Sequence, residues 1–327
     1  MLKTERLTHG GIIANYRCTA ACRHCVVASS PRRAAGYIGA DGARTLCALL
    51  REGGCRSVHV GGGEPFLDVD GLVLLARAAA DAGITVEYAE TNAYWAVDDK
   101  KAMQILSKIA DAGIDTLCIS IDPFHAEYVP YERPLRLAKL CERMGMGYFL
   151  WRSEFVSALR RLEPSKAHSR VEMARVLSGE YVKRTAETYG ISYKGRAVNI
   201  EMEYGRRYPH DELADGRPCG RLMSGSHFHA DLYNRFIPPG CTGLSLPLGE
   251  AIAGIRGGDG RYPAFEALYA GGTALLLRYA ADRGFMPDPD GYPSNCAMCF
   301  FIRSWLAANA PTPDLDAEHY PAAMDYY

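Results

Sequence analysis

Cys18-Thr19-Ala20-Ala21-Cys22-Arg23-His24-Cys25 is the stretch on which the reading turns. Three cysteines at spacing x3 then x2 follow an apolar segment, Gly11-Ile12-Ile13-Ala14-Asn15-Tyr16. Clusters of iron and sulfur held by thiolates normally take four of them. Three in one short loop leave the fourth iron of a 4Fe–4S cluster without a protein ligand, and an open coordination site is where metal chemistry happens. The competing reading is a structural zinc loop. That needs four closed ligands, usually as two tight pairs, and the triplet fits it badly.

Working outward, a helix is expected over about 40–52, with Leu46, Leu49 and Leu50 on one face and Gly53-Gly54 ending it. Arg56-Ser57-Val58-His59-Val60 reads as a strand and runs into Gly61-Gly62-Gly63-Glu64-Pro65-Phe66. Glycines directly after a strand let a ligand approach the backbone closely. The run has neither the Gly-Lys-Ser/Thr ending of a nucleotide loop nor the spacing of a dinucleotide fingerprint.

The alternation continues with helices near 72–82, 100–112 and 135–144, and strands near 84–89, 116–121 and 147–152. A long helical region, about 169–188, precedes Ile191 and Gly195-Arg196-Ala197-Val198-Asn199-Ile200, read as the sixth strand. Regular alternation implies a parallel sheet with right-handed crossovers. The expected fold class is α/β: a partial (β/α)6 TIM barrel over residues 1–200, with a small C-terminal α+β iron–sulfur extension over residues 201–327. In such barrels reactive groups gather at the C-terminal strand ends. Thr91 and Asn92 stand there after the third strand, Ser120, Asp122 and His125 after the fourth, and Arg152 after the fifth.

After about residue 200 the pattern becomes polar and rich in turns. Cys219, a hairpin over 227–237, Cys241 and the pair Cys296-Ala297-Met298-Cys299 follow. Four thiolates suffice for a tetrahedral or cluster site. A zinc ribbon would show two tight pairs, which are not present. Eleven cysteines, an odd number, without a secretory signal fit a reducing cytoplasm better than a disulfide framework. No apolar run is long enough to span a membrane. A net charge of −1 argues against nucleic acid or an anionic membrane as partner.

The triplet and the glycine–glutamate run, in this order, resemble the two signature motifs of the radical S-adenosylmethionine (radical SAM) superfamily. The resemblance implies that Cys18, Cys22 and Cys25 hold a catalytic 4Fe–4S cluster. Its open iron would bind S-adenosylmethionine, whose reductive cleavage gives a 5′-deoxyadenosyl radical that takes a hydrogen atom from the substrate. It implies that Gly62, Gly63 and Glu64 lie at the methionine end and His24 near the adenine. Some of Thr91, Asn92, Ser120, Asp122 and Arg152 would contact the ribose, the carboxylate or the substrate. Cys219, Cys241, Cys296 and Cys299 resemble the ligand set of a twitch or SPASM extension, here with enough cysteines for one auxiliary 4Fe–4S cluster.

The order of elements is similar to that of the radical SAM peptide epimerases of epipeptide biosynthesis. Those place two adjacent cysteines after the hairpin, a ligand and a hydrogen donor. Here Gly240-Cys241 leaves one thiol, so oxidation or cross-linking stands beside epimerisation. Seventeen residues precede Cys18, too few for a leader-recognition domain, so direct binding of a peptide is expected, with a flavodoxin or ferredoxin as electron donor. A small metabolite is the alternative substrate. A non-catalytic two-cluster electron carrier would need neither the glutamate motif nor a barrel.

Overall fold

The computed structural model describes residues 2–190, 194–316 and 320. In chain order come β1 (His9–Asn15), α1 (Ala40–Glu52), β2 (Ser57–Gly62), α2 (Val69–Asp81), β3 (Thr85–Thr91), α3 (Asp99–Ala110), β4 (Thr116–Ser120), α4 (Pro123–Ala126), α5 (Glu132–Met144) and β5 (Gly147–Trp151). Then follow α6 (Val156–Leu159), α7 (Arg170–Val176), α8 (Tyr181–Tyr189), α9 (Val198–Tyr204), α10 (His210–Leu213), β6 (Ser226–Asp231), β7 (Arg235–Ile237), β8 (Leu246–Pro247), α11 (Leu248–Ala253), α12 (Pro263–Ala281) and α13 (Asn295–Asn309).

The strands form one sheet in the order β5-β4-β3-β2-β1-β6-β7-β8. β1 to β5 are parallel neighbours. Each crossover carries a helix with an apolar stripe. Leu46, Cys47 and Leu50 of α1 and Leu72, Leu75, Ala76 and Ala79 of α2 are buried against the sheet. Asp68 and Asp98 start α2 and α3 by accepting the amides of Gly71 and Lys101, the usual satisfaction of exposed first-turn donors. Gly145, in the left-handed region, ends α5.

The sixth strand expected on the β5 side is not seen there. Ile191 lies outside the described residues. Gly195–Ala197 is a 3-10 turn that leads into α9, so this stretch is helical. Its apolar residues Ala197 and Ile200 join a second core with Ala20, Cys22, Phe124, Met173 and Tyr181. The 169–188 region is two helices, α7 and α8, separated by a break. The sixth parallel partner comes instead from the C-terminal part: β6 pairs with the other edge of β1, and β7 and β8 extend the sheet antiparallel. The expected hairpin is therefore present, as a continuation of the main sheet. Among the described residues no helix is long and apolar enough to cross a membrane.

Candidate functional site

The cysteine loop leaves β1 at the C-terminal edge of the parallel strands, and the glycine run of β2 holds it there. Gly63 N donates to Asn15 O (2.8 Å) and Glu64 N to Arg17 O (2.9 Å). Asn15 Nδ2 returns a bond to Glu64 O (3.1 Å). A Cβ on Gly63 would lie 1.9 Å from Arg17 O, and one on Gly62, at φ +118°, would lie 2.6 Å from Asn15 O. The sequence suggested that these glycines admit a ligand to the backbone. What they admit at closest range is the backbone that carries the cysteines.

A cavity of about 410 Å³ opens here, lined by Cys18, Cys22 and Cys25 together with His24, Gly62, Gly63, Glu64, Thr91, Asn92, Ser120 and Arg152. Of the candidate residues in this half only Asp122 does not line it. Asp122 is fully buried and starts α4, accepting the amides of Phe124 (2.8 Å) and His125 (3.0 Å) and His125 Nδ1 at 2.6 Å.

Donors converge on the sulfur atoms. Ala20 N approaches Cys18 Sγ at 3.4 Å, Ser29 N approaches Cys25 Sγ at 3.3 Å, and Asn92 Nδ2 lies 3.6 Å from Cys18 Sγ. His125 hydrogen-bonds the Cys22 thiol. Burial raises the thiols of Cys18 and Cys22, and for Cys22 the charge and hydrogen bond of His125 oppose it. Burial alone would raise Asp122 and lower His125. Their mutual attraction outweighs it, holding the carboxyl at about 2 and pushing the imidazole well above its ordinary range. His24, held down to about 4 by burial, stacks on Phe124 at 5.0 Å and meets Tyr189 edge-on at 4.8 Å.

Glu64 is fully buried and serves as a bracket. Its carboxylate accepts Asn92 N (2.8 Å), Thr91 Oγ1 (2.8 Å) and Phe66 N (3.2 Å). Burial raises it to about 7, against these bonds. The Thr91 hydroxyl also accepts from Trp95 Nε1 and Ala93 N, both at 3.0 Å, so it is committed to the loop after β3. Arg152, left-handed at φ +65°, lies 5.4 Å from the ring centres of Trp151 and Tyr189.

The inner half of the cavity is formed by residues the sequence did not single out as ligands: Tyr88, Glu90, Cys118, Trp151 and Tyr189. Period-two alternation along β3 and β4 was the signal for Tyr88, Glu90 and Cys118, since residues two apart from a strand-end ligand share its face; Trp151, adjacent to Arg152, and Tyr189 carried no such signal. Arg196 had no such signal. It is buried, and Nε and Nη2 donate to Cys22 O (2.8 Å) and Ser29 O (2.6 Å), while its amide bonds Cys25 O (3.0 Å).

The second cysteine group sits beyond β6 and β7. Cys299 is buried, Cys219 and Cys241 are half-buried and Cys296 is exposed. They are electrostatic neighbours. Burial pushes the Cys241 thiol up to about 12, opposed by Arg303 and reinforced by Cys299, Cys219 and Cys296. The buried Arg303 hydrogen-bonds Cys299 and donates from Nη1 to Thr242 O (2.9 Å) and Tyr320 Oη (2.7 Å). Among the described residues the one trio of metal-ligating types with all ligand atoms within 4.8 Å is His24, Asp122 and His125. Asp122 is already engaged there by His125 and two amides.

Residues 12–164 match the family model described as the Radical SAM superfamily. The match covers a little under half of the chain and marks this stretch as a radical SAM domain, a family that uses a 4Fe–4S cluster and S-adenosylmethionine. No curated protein matches the chain. Several solved structures resemble it at low level. Native anSMEcpe with bound AdoMet and the Cp18Cys peptide is 18% identical over 44% of this chain and 42% of its own length, with a TM-score of 0.34. Streptococcus suis SuiB is 16% identical over 84% of this chain and 68% of its own (TM-score 0.39). PhdJ bound to a substrate intermediate is 16% identical over 59% and 58% (TM-score 0.29). Likeness at this level assigns no substrate and no reaction to this chain.

Proposed function

We propose that the chain is a radical SAM enzyme that abstracts a hydrogen atom from a peptide, in the maturation of a ribosomally made product by oxidation, cross-linking or epimerisation. The observation that carries the hydrogen-abstraction reading is the meeting of three thiols and the Gly62-Gly63-Glu64 turn around one cavity.

The donor set fits the cluster. Three sulfurs face the cavity and receive amide, carboxamide and imidazole donors, which favour the thiolate form that ligation requires. Cys18, Cys22 and Cys25 would hold it. Bound there, the cluster and S-adenosylmethionine supply reductive cleavage to a 5′-deoxyadenosyl radical.

The rest is the work of the chain. Glu64 draws the loop after β3 onto the turn after β2, so that the Asn92 carboxamide is aimed at Cys18. Gly62 and Gly63 let that turn seat against the cysteine loop. His24, seated on the buried Phe124, and Tyr189 offer ring faces to the adenine, and Ser120 and Arg152 supply polar contacts to the same cavity. Tyr88, Cys118 and Trp151 exclude water from the inner half, where a carbon radical needs protection from side reactions.

In the same reading residues 201–327 form the auxiliary-cluster unit, with Cys219, Cys241, Cys296 and Cys299 as ligands. A single tetrahedral zinc with Zn–S of about 2.3 Å needs sulfurs about 3.8 Å apart. Among the described residues no three thiol sulfurs lie within 4.8 Å of one another, so the thiols as placed do not form a closed zinc site. The buried Arg303 offsets the charge of an auxiliary cluster.

The test is anaerobic reconstitution followed by reduction with dithionite in the presence of S-adenosylmethionine. The expected outcome is 5′-deoxyadenosine, with roughly eight irons per chain if both sites hold 4Fe–4S clusters. Visible iron–sulfur absorption without 5′-deoxyadenosine would leave an electron carrier as the better description.

A further inference from the structure

A second cavity, of about 550 Å³, lies on the β1–β6 side of the first, and Val26 and Val27 of the cysteine loop line both. Its wall carries Lys194, Arg221, His227 and His229, the hydroxyls of Ser224, Ser226 and Thr242, and the Cys241 thiol, with no aspartate or glutamate. Lys194 and Arg221 have no acidic partner among the described residues. The first cavity is lined by Glu64 and Glu90 as well as by Arg152 and His125, so only the second presents cations without a carboxylate beside them.

The ammonium of Lys194 is placed by a gap in the chain opposite it. A Cβ on Gly240 would lie 1.4 Å from Lys194 Nζ, so in this arrangement the ammonium occupies the space a side chain would take beside Cys241. Lys194 and Arg221 line one concave wall, and the charge of Arg221 works against that of Lys194, while the Cys241 and Cys296 thiols favour it. The arrangement becomes favourable when an anion lies between the two cations, through charge-assisted hydrogen bonds.

We propose that this cavity binds a carboxylate-bearing segment of the peptide substrate between Lys194 and Arg221, so that the adjoining residue reaches the catalytic cavity across Val26 and Val27. The inference rests on the peptide reading above and names its substrate class: an acidic peptide. The size suits this, since pockets of about 300–1,000 Å³ take ligands of several residues' bulk. Balancing the charge of an auxiliary cluster is the competing use of the two cations. Arg303, buried against Cys241 and Cys299, already does this from the opposite side.

The experiment offers reconstituted full-length protein a synthetic pool of random N-acetylated octapeptides, made once with free and once with amidated C-termini. Retained peptides are identified by mass spectrometry. Peptides rich in aspartate and glutamate should be enriched at least threefold over the input. In Lys194→Gln/Arg221→Gln the enrichment should vanish while iron content stays at the wild-type level. Enrichment in both pools assigns the site to acidic side chains; enrichment in the free-acid pool alone assigns it to a terminal carboxylate. Retention without acidic bias, or a bias that survives in the double variant, overturns the inference and leaves the peptide reading standing. Loss of about half the iron in the double variant also overturns it, and hands the cations to the cluster. No retention of any peptide, with 5′-deoxyadenosine still formed, overturns the peptide reading and this inference together.

Discussion

The two cysteine groups solve the same electrostatic problem in different ways. Cys18, Cys22 and Cys25 come from one eight-residue stretch, and the donors that reach their sulfurs are mostly neutral: the amides of Ala20 and Ser29 and the carboxamide of Asn92, with the His125 imidazole at Cys22 as the one charged group. Cys219, Cys241, Cys296 and Cys299 come from three separated segments, and a buried cation, Arg303, attends Cys241 and Cys299. A compact loop turns its own amides inward and stabilises thiolates locally. Thiols brought together by tertiary packing lack such amides, so the compensating charge must be imported, and a buried arginine supplies it at the cost of its own desolvation. The groups are not independent. Arg303 bonds Thr242 O, and Thr242 Oγ1 donates to Val26 O at 2.6 Å, so a path of three residues ties one site to the other.

The largest expected effect breaks the first site outright. Cys18→Ala/Cys22→Ala/Cys25→Ala, anaerobically reconstituted, should form no 5′-deoxyadenosine above background while keeping about half the iron. Activity in this variant would remove the triplet from the chemistry.

Next comes the seat of the loop. Gly63→Val puts a side chain into the Arg17 carbonyl at 1.9 Å, a backbone contact that cannot rotate away. A loss at or beyond the upper end of the roughly 1–3 kcal/mol typical of overpacking is expected, together with failure to take up the first cluster. Normal iron uptake with only cofactor affinity reduced would show that the glycine faces a ligand instead.

The second site is sharpened by a pair of variants. Cys241→Ala should lose about half the iron if Cys241 is a ligand. Arg303→Met, which leaves every thiol in place, should weaken retention of the same iron under chelator challenge several-fold, because the charge of Arg303 is lost. If Cys241→Ala keeps full iron, and solvent deuterium enters an alpha carbon of the product only with the wild type, Cys241 is a hydrogen donor and the ligand count falls to three.

The smallest effect lies between the two sites. Burial holds His59 down to about 3 and His229 down to about 4, helped by their neighbours His9 and His227. In the unfolded chain both titrate near 6.5. Below that pH the unfolded chain binds protons that the folded chain refuses. Stability from these groups is therefore complete above about pH 6.5 and declines as pH falls toward 4, by at most about 1.4 kcal/mol per unit for each histidine. The urea midpoint should fall from pH 7 to pH 5, and the fall should be shallower in His59→Asn. Equal slopes would mean that the folded chain protonates both rings.

Much of the N-terminal half was legible from local pattern. The helix over 40–52 and the strand beginning at Thr116 stand where periodicity and end signals put them. The strand-end rule gathered Thr91, Asn92, Ser120 and Arg152 around one cavity with the cysteines. The rule could not say how each is used. Thr91 is consumed by Glu64, Trp95 and Ala93, and Asp122 by α4 and His125. Such commitments depend on which neighbours arrive, and a sequence does not display distances.

By itself the sequence determined what depends on short spacings: the cysteine triplet, the glycine–glutamate turn, five strand–helix alternations and a later hairpin. These are set by backbone preference and by the two- and three-to-four-residue periods of buried side chains, which act over ten or so residues. The tertiary structure alone decided which strand lies beside β1. Gly195–Ile200 was read as a strand, but β5 is the edge of the sheet, and this stretch joins helices α7 and α8 in packing its apolar residues on the cysteine loop and α4. β6, more than two hundred residues from β1, takes the parallel place on the other side. Pairing across that separation is governed by the sum of all contacts on both faces. It is the same long-range packing that brings Arg196 onto the carbonyls of Cys22, Cys25 and Ser29, and Lys194 beside Cys241.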